Sequence, residues 1–390
     1  MITDVQSVSV TYHGRKVGTL SMGNQRVCQF EYDKDWIADG FSISPLKLPL
    51  KTGIVTADYF PFDGNFGVFE DSLPGGYGEY LLRKVLSKSG INYGALTPVQ
   101  RLSLVGSSGM GALCYEPETK MPQSDWKGSF DEMQQMALEV LSEKTDDNAD
   151  VLFYRSGNSG GVRPKCIFTD AEGHWLVKFR HTYDPKNIGE IEYQYNQVAR
   201  RCGIVVPDFK LIEGKYFATR RFDIERQEVG GTSGISTSGM DCQRLHVVTA
   251  SGLLNEPISP PKMDYHSLLQ LTGYLTQSPI EVEQQFRRMA FNAFARNHDD
   301  HARNFSFICR ERQRVGGTSG IGQWTLAPAY DLTNDDTLGE HASTVNFKGL
   351  PTDEDMITVG TNIRITRARC LEIIEEVREG TKELNHIINH

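Results

Sequence analysis

The sequence predicts an α+β fold, because strand patterns and helix patterns occupy different parts of the chain. Residues 1 to about 118 are rich in strand patterns: residues 5–10 alternate in polarity, a turn follows, and residues 26–32 pair back. Residues 150 to about 222 predict a mixed sheet, and most of the chain after them has helical periodicity.

These patterns divide the chain into a strand-rich N-terminal subdomain over residues 1–118, a sheet region over 119–222 and a helical part over 223–390. A helix is predicted at 77–88 within the first part. The polar stretch 116–128 predicts a linker between the first two parts.

Capping residues mark the starts of later helices. Ser129 and Glu132 form a capping box, and Ser278 stands before Pro279 and Glu281 at the start of a long helix that leads towards residue 299. The apolar face of that helix is interpreted as core: Phe286, Met289, Ala290, Ala293 and Phe294. A last helix over about 367–389 is predicted to pack through Leu371, Ile374, Val377 and Leu384.

Composition indicates an intracellular protein. With 390 residues, 39% of them hydrophobic and 23% charged, the chain can bury one large or two moderate cores. A net charge of −9 argues against broad binding to nucleic acid or anionic membranes. The seven cysteines form no C-x-x-C pair and predict reduced thiols in a cytoplasmic protein. The start of the chain has no signal-peptide pattern, and no apolar run reaches the roughly 18 residues of a membrane span.

The segment Asp-Asp-His-Ala-Arg-Asn at 299–304 carries the strongest chemical signal. Asp299 and Asn304 have the D-x-x-x-x-N spacing with which a kinase catalytic loop places its base and a magnesium ligand. Asp299 would take the proton of the acceptor hydroxyl, while Asn304 would hold Mg²⁺ together with a later Asp, for which Asp331 is the candidate. Two short strands predicted between Asn304 and Asp331 would bring them together.

Two other interpretations of this segment stay open. Asp, Asn and His favour turns, so the string alone also fits an ordinary turn. In the second interpretation, the segment would bind the metal of a phosphohydrolase through four consecutive residues: His298, Asp299, Asp300 and His301. That interpretation needs further ligands, and the upstream His246 and His266 lie in no recognisable ligand pattern.

Upstream motifs occur in the order of a protein kinase. The small-residue turn at 159–165 leads into a strand, and its glycines would let backbone N–H groups approach phosphate oxygens. Lys178 lies in the mostly apolar strand pattern 174–179 and therefore needs a counter-charge. We assign that role to Glu192, near the start of the next helix. A surface lysine and a solvated helix start are the plainer alternative.

Together these motifs resemble the HipA-like serine/threonine kinases of bacterial toxin–antitoxin modules over nearly the whole chain. The resemblance rests on SGGVRPK (159–165), LVKF (176–179), CGIVVP (202–207), RRFD (220–223), NHDDHARNFS (297–306) and LAPAYDLT (326–333). In the N-terminal part it rests on YHGRKVGTL (12–20), SISPLKLPL (42–50), FEDSLPGG (69–76) and RLSLVGSSGMGAL (101–113). It implies a protein-kinase-like two-lobed fold of the HipA type with a mainly helical C-lobe.

The resemblance also implies ATP and Mg²⁺ as cofactors. It assigns catalysis to Asp299, Lys178 and Glu192, and magnesium binding to Asn304 and Asp331. It implies nucleotide contacts at Ser159, Gly160, Gly161, Val162, Arg163, Lys165, Lys178, Arg221, Phe222, His301, Asn304 and Asp331. The backbone of Arg221 and Phe222 would meet adenine at the hinge between the lobes.

Regulation and partners follow from the same resemblance. A serine before the strand lysine would be autophosphorylated, which would displace the loop and inactivate the kinase. Ser159 is the nearest candidate and Ser156 the next. A small helix-turn-helix antitoxin of the HipB type would bind the chain and supply its only contact with DNA. The protein substrate would be an aminoacyl-tRNA synthetase or another translation factor.

A second function stays open, in which the chain is a non-catalytic corepressor that has a kinase-like fold and binds the antitoxin. The presence of Lys178, Asp299, Asn304 and Asp331 favours the enzyme. One repeat has no assigned function: ERQEVGGTSGI at 225–235 recurs with a single difference at 311–321. It is interpreted as a solvated hairpin insertion, with a docking surface for a partner as the alternative.

Overall fold

The computed structural model describes residues 2–121, 124, 126–157, 160–226, 242–311, 322–335 and 339–388. Its helices and antiparallel sheets confirm the predicted α+β class. Most residues of the two repeated segments, at 227–235 and 312–321, lie outside the described ranges, so the interpretation of the repeat stays a prediction.

A five-stranded antiparallel sheet forms the N-terminal part, in the order β4-β3-β2-β1-β5. Its strands are β1 (Ser7–Tyr12), β2 (Arg15–Met22), β3 (Cys28–Tyr32), β4 (Ile54–Thr56) and β5 (Leu113–Glu116). The predicted turn joins β1 to β2, and the predicted returning strand is β3, which pairs with β2. The helices of this part are α1 (Lys34–Asp39), α2 (Gly67–Glu70), α3 (Tyr77–Lys88) and α4 (Pro98–Val105). α3 has the predicted bounds.

The second sheet has four strands in the order β6-β7-β9-β8. The elements of this region are α5 (Phe130–Leu141), α6 (Ala149–Ser156), β6 (Lys165–Thr169), β7 (His174–Lys178), α7 (Ile188–Arg201), β8 (Phe209–Ile212) and β9 (Tyr216–Arg220). The predicted mixed sheet is wrong, because every strand pairing in this sheet is antiparallel. β6 and β7 form one tight hairpin and β8 and β9 form another, and the pairing of β7 with β9 joins the two hairpins. The predicted capping box is confirmed, with Glu132 N–H donating to Ser129 Oγ at 3.2 Å and Ser129 N–H donating to Glu132 at 2.7 Å.

Helices dominate the rest of the chain. Its strands are β10 (Ile224–Arg226), β11 (Cys242–Arg244), β12 (His246–Thr249), β13 (Ser306–Arg310) and β14 (Gln323–Leu326). Its helices are α8 (Ala250–Leu254), α9 (Tyr265–Thr276), α10 (Pro279–Phe294), α11 (Asp353–Asn362), α12 (Arg367–Thr381) and α13 (Asn385–Ile388). β10 pairs with β11, and β13 lies between β12 and β14. The two strands predicted between Asn304 and Asp331 are therefore confirmed as the β13–β14 pair.

α10 begins where the capping pattern places it, with Ser278 Oγ accepting the Glu281 N–H at 3.4 Å. Its predicted core face is buried at Phe286, Met289 and Ala290, and half-buried further on. The predicted packing of Leu371 in α12 is wrong, since its side chain is 45% exposed. The predicted packing of Ile374, Val377 and Leu384 is confirmed, since each is at most 1% exposed, and Cys370 and Ile373 of α12 are buried as well.

Two hydrophobic cores cross the sequence-based divisions. The larger core joins the N-terminal sheet to α9, α10 and α12, with Phe30 and Phe286 among its members. The smaller core packs α3 of the N-terminal part against α6 and β7. The division at residues 118 and 222 stays a prediction. All seven cysteines are free, and five of them are buried. No helix in the described ranges is long and apolar enough to cross a membrane.

Candidate active site

Lys178 stands at the end of β7, an interior strand of the four-stranded sheet. Its ammonium contacts the carboxylate of Glu192, which α7 presents, and Nζ lies 2.6 Å from Oδ1 of Asp331. The Lys178 side chain is 10% exposed and that of Glu192 is 2% exposed, so this pair is largely withdrawn from water. The structure thus brings together three residues that the sequence assigns to one site.

The two carboxylates decide the charge of Lys178. Burial alone would lower the pKa of this lysine, but Asp331 and Glu192 raise it to about 12. In return, the Lys178 ammonium holds the pKa of Asp331 well below its usual range, with help from Lys165 and Arg163. Both Lys178 and Asp331 are therefore charged at neutral pH.

The segment that carries Asp299 and Asn304 folds back on itself. α10 ends at Phe294, and residues 302–304 form a single 3₁₀ turn. The Asn304 side-chain N–H₂ group donates to the Asp299 carbonyl at 2.6 Å, so the Asn304 side-chain oxygen is the atom that can bind a cation. Burial, followed by the charge of Asp331, raises the pKa of Asp299 to about 7. His301 Nε2 lies 3.7 Å from Asp299 Oδ1, and burial lowers the pKa of His301.

Asp300, next to the proposed base, has a different environment. It is 1% exposed, and its carboxylate accepts hydrogen bonds from three groups: Tyr265 O–H at 2.8 Å, the His341 ring at 3.1 Å and Ser343 N–H at 3.0 Å. These hydrogen bonds occupy the carboxylate oxygens of Asp300 and hold the loop in place. This arrangement argues against the cluster of four consecutive metal ligands considered above, since Asp300 is turned into the protein.

Tyr330 links the catalytic segment to Asp331. Its hydroxyl donates to the Arg303 carbonyl at 2.6 Å and lies 2.6 Å from Ser306 Oγ. Its ring packs on Phe222, with the centroids 5.5 Å apart. Asp331 follows with φ +57°, a left-handed conformation that Asp tolerates better than most residues. No spacing in the sequence pointed to Tyr330 or to the three partners of Asp300.

The Gly-rich turn lies beside Lys178 because β6 and β7 pair, with Lys165 directly opposite Lys178. Lys165 is buried, and its ammonium donates to the Gly160 carbonyl. Burial, together with the neighbouring Lys178, lowers the pKa of Lys165 to about 8. Gly161 has φ +85°, where a side chain would be strained, and Val162 is 57% exposed.

Arg163 lies within the same turn and is held by Asp184, a residue that the sequence analysis did not single out. The guanidinium donates from Nε to Asp184 Oδ2 at 3.0 Å and from a terminal nitrogen to Oδ1 at 3.1 Å. This bidentate pair fixes the orientation of a cation near Asp331.

Of the two serine candidates for modification, Ser156 lies within the described residues. Ser156 is the last residue of α6, fully buried, with its hydroxyl 3.1 Å from the Phe153 carbonyl. Ser159 lies outside the described residues.

The hinge prediction concerns Arg221 and Phe222, which follow β9. The Arg221 N–H donates to the His174 carbonyl at 2.9 Å, so it is not available to a nucleotide in this structure. The Arg221 guanidinium turns away to Asp223, at 2.6 and 2.9 Å. Among the described residues no hydrogen bond involves the Phe222 N–H, which leaves this group as the backbone donor of the pair.

The donor set suits a magnesium–polyphosphate ligand. Asp331 and Asn304 supply the hard oxygen ligands that Mg²⁺ takes from protein, typically beside phosphate oxygens. Three cations near Asp331, namely Arg163, Lys165 and Lys178, match a polyanion. No group of three or more His, Cys, Asp or Glu side chains within the described ranges is arranged to hold a metal ion. The two oxygen ligands would therefore depend on a phosphate partner to complete a magnesium site.

Two family models match the sequence. The model described as the HipA N-terminal domain matches residues 8–116, and that described as the HipA-like C-terminal domain matches residues 157–384, more than half of the chain. No curated protein is significantly similar in sequence.

Solved structures give a second comparison. The Shewanella oneidensis MR-1 complex of HipA, HipB and operator DNA contains a chain that aligns with a TM-score of 0.67 at 16% identity, over 98% of this chain and 90% of that one. The Helicobacter pylori proinflammatory kinase CtkA aligns at 15% identity over 57% of this chain and 90% of its own, with a TM-score of 0.31. The first match, together with the two family models, confirms the HipA-type α+β fold that the sequence predicts.

Proposed function

The chain belongs to the HipA family, and on that premise we propose that it is an ATP- and Mg²⁺-dependent serine/threonine protein kinase of the HipA type. The observation that carries the proposal is the position of Lys178 between Glu192 and Asp331. A lysine on an interior strand, paired with a helix glutamate and adjacent to a metal-binding Asp, is the arrangement that phosphoryl transfer requires.

When bound, ATP supplies the γ-phosphoryl group, and Mg²⁺ supplies positive charge to its oxygens. Asp299 accepts the proton of the acceptor hydroxyl, whose oxygen forms a bond to phosphorus while the bond from phosphorus to the ADP oxygen breaks. Lys178, with Arg163 and Lys165 nearby, offsets the negative charge of the phosphates. Asn304 and Asp331 would hold the metal, and the Phe222 N–H would be the backbone donor to adenine.

The fixed surroundings of the catalytic segment support this assignment. Asp299 is 42% exposed at its side chain, within reach of an acceptor, whereas Asp300 beside it is buried and bonded to Tyr265, His341 and Ser343. Asp299 is thus assigned to the chemistry, and Asp300 to holding the catalytic segment in place.

We also propose the regulation and partners that the family implies. Autophosphorylation at Ser159, or at Ser156, would add negative charge beside the nucleotide phosphates and inactivate the kinase. The Shewanella oneidensis HipA was solved with HipB and operator DNA, and a HipB-like antitoxin is accordingly the proposed partner here. The net charge of −9 favours contact with DNA only through that partner. A translation factor such as an aminoacyl-tRNA synthetase is the proposed class of substrate.

The first experiment is incubation of the purified protein with radiolabelled ATP and Mg²⁺, followed by mapping of the phosphate by mass spectrometry. We expect label on a serine of residues 156–159 in the wild type and none in Asp299→Ala. Label that persists in Asp299→Ala would overturn the assignment of the base. A wild type that takes no label and gains no thermal stability from Mg²⁺-ATP would favour the non-catalytic corepressor.

A further inference from the structure

Residues 67–77 of the N-terminal part, called here the bridging segment, touch both loops of the candidate active site. The first contact is with Arg303, inside the catalytic segment. Its guanidinium lies 3.8 Å from Glu70 Oε1 and 3.9 Å from Asp71 Oδ1, and it donates to the Glu70 carbonyl at 3.4 Å. A Cβ added to Gly75 would lie 3.0 Å from the Arg303 guanidinium, so any other residue at position 75 would require the guanidinium to shift.

The bridging segment is itself fixed to the helical part of the chain. Asp71 accepts hydrogen bonds from Thr249, at 2.7 Å from the backbone N–H and 2.8 Å from the hydroxyl. α2 and α8 pack with their backbones in contact, because a Cβ on Gly67 would lie 2.3 Å from the Gly252 carbonyl oxygen. The carboxylates that face Arg303 are therefore held in place from a second side.

The far end of the bridging segment meets the Gly-rich turn. The Tyr77 N–H, at the start of α3, donates to the Gly161 carbonyl at 2.9 Å. A Cβ on Gly76 would lie 2.4 Å from the same carbonyl oxygen, too close for any side chain. Two other positions of the turn are less enclosed: no described residue lies within 4 Å of a Cβ built on Gly160, and Val162 is 57% exposed.

Arg303 extends the connection to the magnesium-binding Asp. The carbonyl of Arg303 accepts the Tyr330 hydroxyl at 2.6 Å, and Tyr330 directly precedes Asp331, which lies 2.6 Å from Lys178 Nζ. The bridging segment is thus connected through one arginine to the residues that would hold metal and phosphate.

We propose that the bridging segment positions the Gly-rich turn and the catalytic segment relative to each other, with Arg303 as the positioning residue through which it acts on the catalytic segment. The N-terminal part would then be a component of the nucleotide site. The inference rests on the proposed kinase function for its kinetic readout, but its effect on loop order does not depend on catalysis.

The first test compares Gly76→Ala with Gly90→Ala. The two glycines flank α3, and both have positive φ, +51° and +73°, so an added Cβ strains the backbone at each position. Only the Cβ at position 76 would collide with the Gly-rich turn, since no residue in the described ranges lies within 4 Å of a Cβ at position 90. Calorimetric titration with Mg²⁺-ATP should show at least about tenfold weaker binding for Gly76→Ala and unchanged binding for Gly90→Ala.

Hydrogen exchange on the nucleotide-free variants supplies a readout that needs no activity. We expect faster exchange over residues 160–165 in Gly76→Ala alone. Equal exchange there in Gly76→Ala and Gly90→Ala would overturn the inference, whether or not the protein is a kinase. If exchange over residues 160–165 is faster in Gly76→Ala alone but the wild type binds no Mg²⁺-ATP, the inference stands and the proposed function is rejected.

The second test concerns Arg303. Arg303→Met should lower the rate of phosphate incorporation at saturating ATP by about 100-fold while leaving the KM for ATP within about threefold, because it removes the guanidinium that supports the catalytic segment but keeps the carbonyl that accepts the Tyr330 hydroxyl next to Asp331. Arg303→Lys retains a cation and should keep a larger share of the rate. A purely structural role would lower the melting temperature of Arg303→Met and leave the rate per folded molecule unchanged, which would overturn the role of Arg303.

Discussion

The ammonium of Lys178 is shared between two acidic side chains: it contacts the Glu192 carboxylate and lies 2.6 Å from Asp331 Oδ1. Glu192 is nearly fully buried, while the Asp331 side chain is 32% exposed. Glu192 is thus structural in character, whereas Asp331 faces the space where a metal ion would bind. Lys178 consequently connects the stability of the sheet region to the chemistry of the site.

Removal of Lys178 should destabilise the protein before any question of activity arises. Lys178→Met leaves the buried Glu192 carboxylate without its counter-charge, and we expect the free energy of unfolding to fall by about 3 kcal/mol. Urea denaturation measures this loss. Glu192→Gln removes the other member of the same ion pair. Its matched control is Glu190→Gln, because Glu190 is exposed on the same helix.

The double variant identifies the cause. Adding Glu192→Gln to Lys178→Met should restore part of the lost stability, since the uncompensated charge is removed. Strictly additive losses in the two variants would contradict the ion pair as the source of the effect.

The adjacent residues Asp299 and Asp300 should respond oppositely to the same substitution. Asp299→Asn removes the proposed base, whose pKa the fold raises, so we expect loss of phosphate transfer with stability equal to or slightly above that of the wild type at neutral pH. Asp300→Asn disturbs three buried hydrogen bonds, so we expect about 2–4 kcal/mol lower stability. Denaturation and label incorporation are measured on both variants. An Asp299→Asn variant that transfers phosphate normally would exclude Asp299 as the base.

His246 should make the protein sensitive to acid. It is fully buried, its Nε2 lies 2.7 Å from the Ile43 carbonyl, and burial lowers its pKa to about 4. The unfolded chain, with an ordinary pKa of about 6.5, binds the proton more tightly than the folded chain between those two values. Stability should therefore fall as pH drops from about 6.5 to about 4.

This contribution amounts to about 2 kcal/mol between pH 7 and pH 5. His246→Gln keeps a donor for the Ile43 carbonyl but does not titrate. Its free energy of unfolding should lose about 2 kcal/mol less over that interval than the wild type. Parallel pH profiles of the two proteins would show that His246 is not the group responsible.

Autophosphorylation, if it takes place on this loop, should favour Ser159 over Ser156. The Ser156 hydroxyl is buried and bonded to the Phe153 carbonyl, so phosphate could be added only after the end of α6 unwinds. We expect Ser156→Ala to retain label and Ser159→Ala to lose it, as measured by mass spectrometry of the labelled peptides. The opposite result would place the acceptor in α6 and require the helix end to open.

The local sequence determined many elements of this fold. The bounds of α3, the capping box at Ser129 and the start of α10 follow from residues within a few positions of one another, where backbone preference and capping chemistry act. The order of the charged residues also predicted a proximity that the structure shows: Lys178, Glu192 and Asp331 lie together. Their types and spacing restrict the chemistry they can perform.

Tertiary structure alone decided how residues far apart in the chain use those charges. Two adjacent aspartates have the same local signal, and only packing against Tyr265 and His341 turns Asp300 inward. The FEDSLPGG motif was visible in the sequence, but nothing local indicated that Glu70 and Asp71 face Arg303. Leu371 likewise fits a helical stripe and is exposed nonetheless. Contacts between distant segments depend on the shapes and positions of whole elements, which no short window of sequence contains.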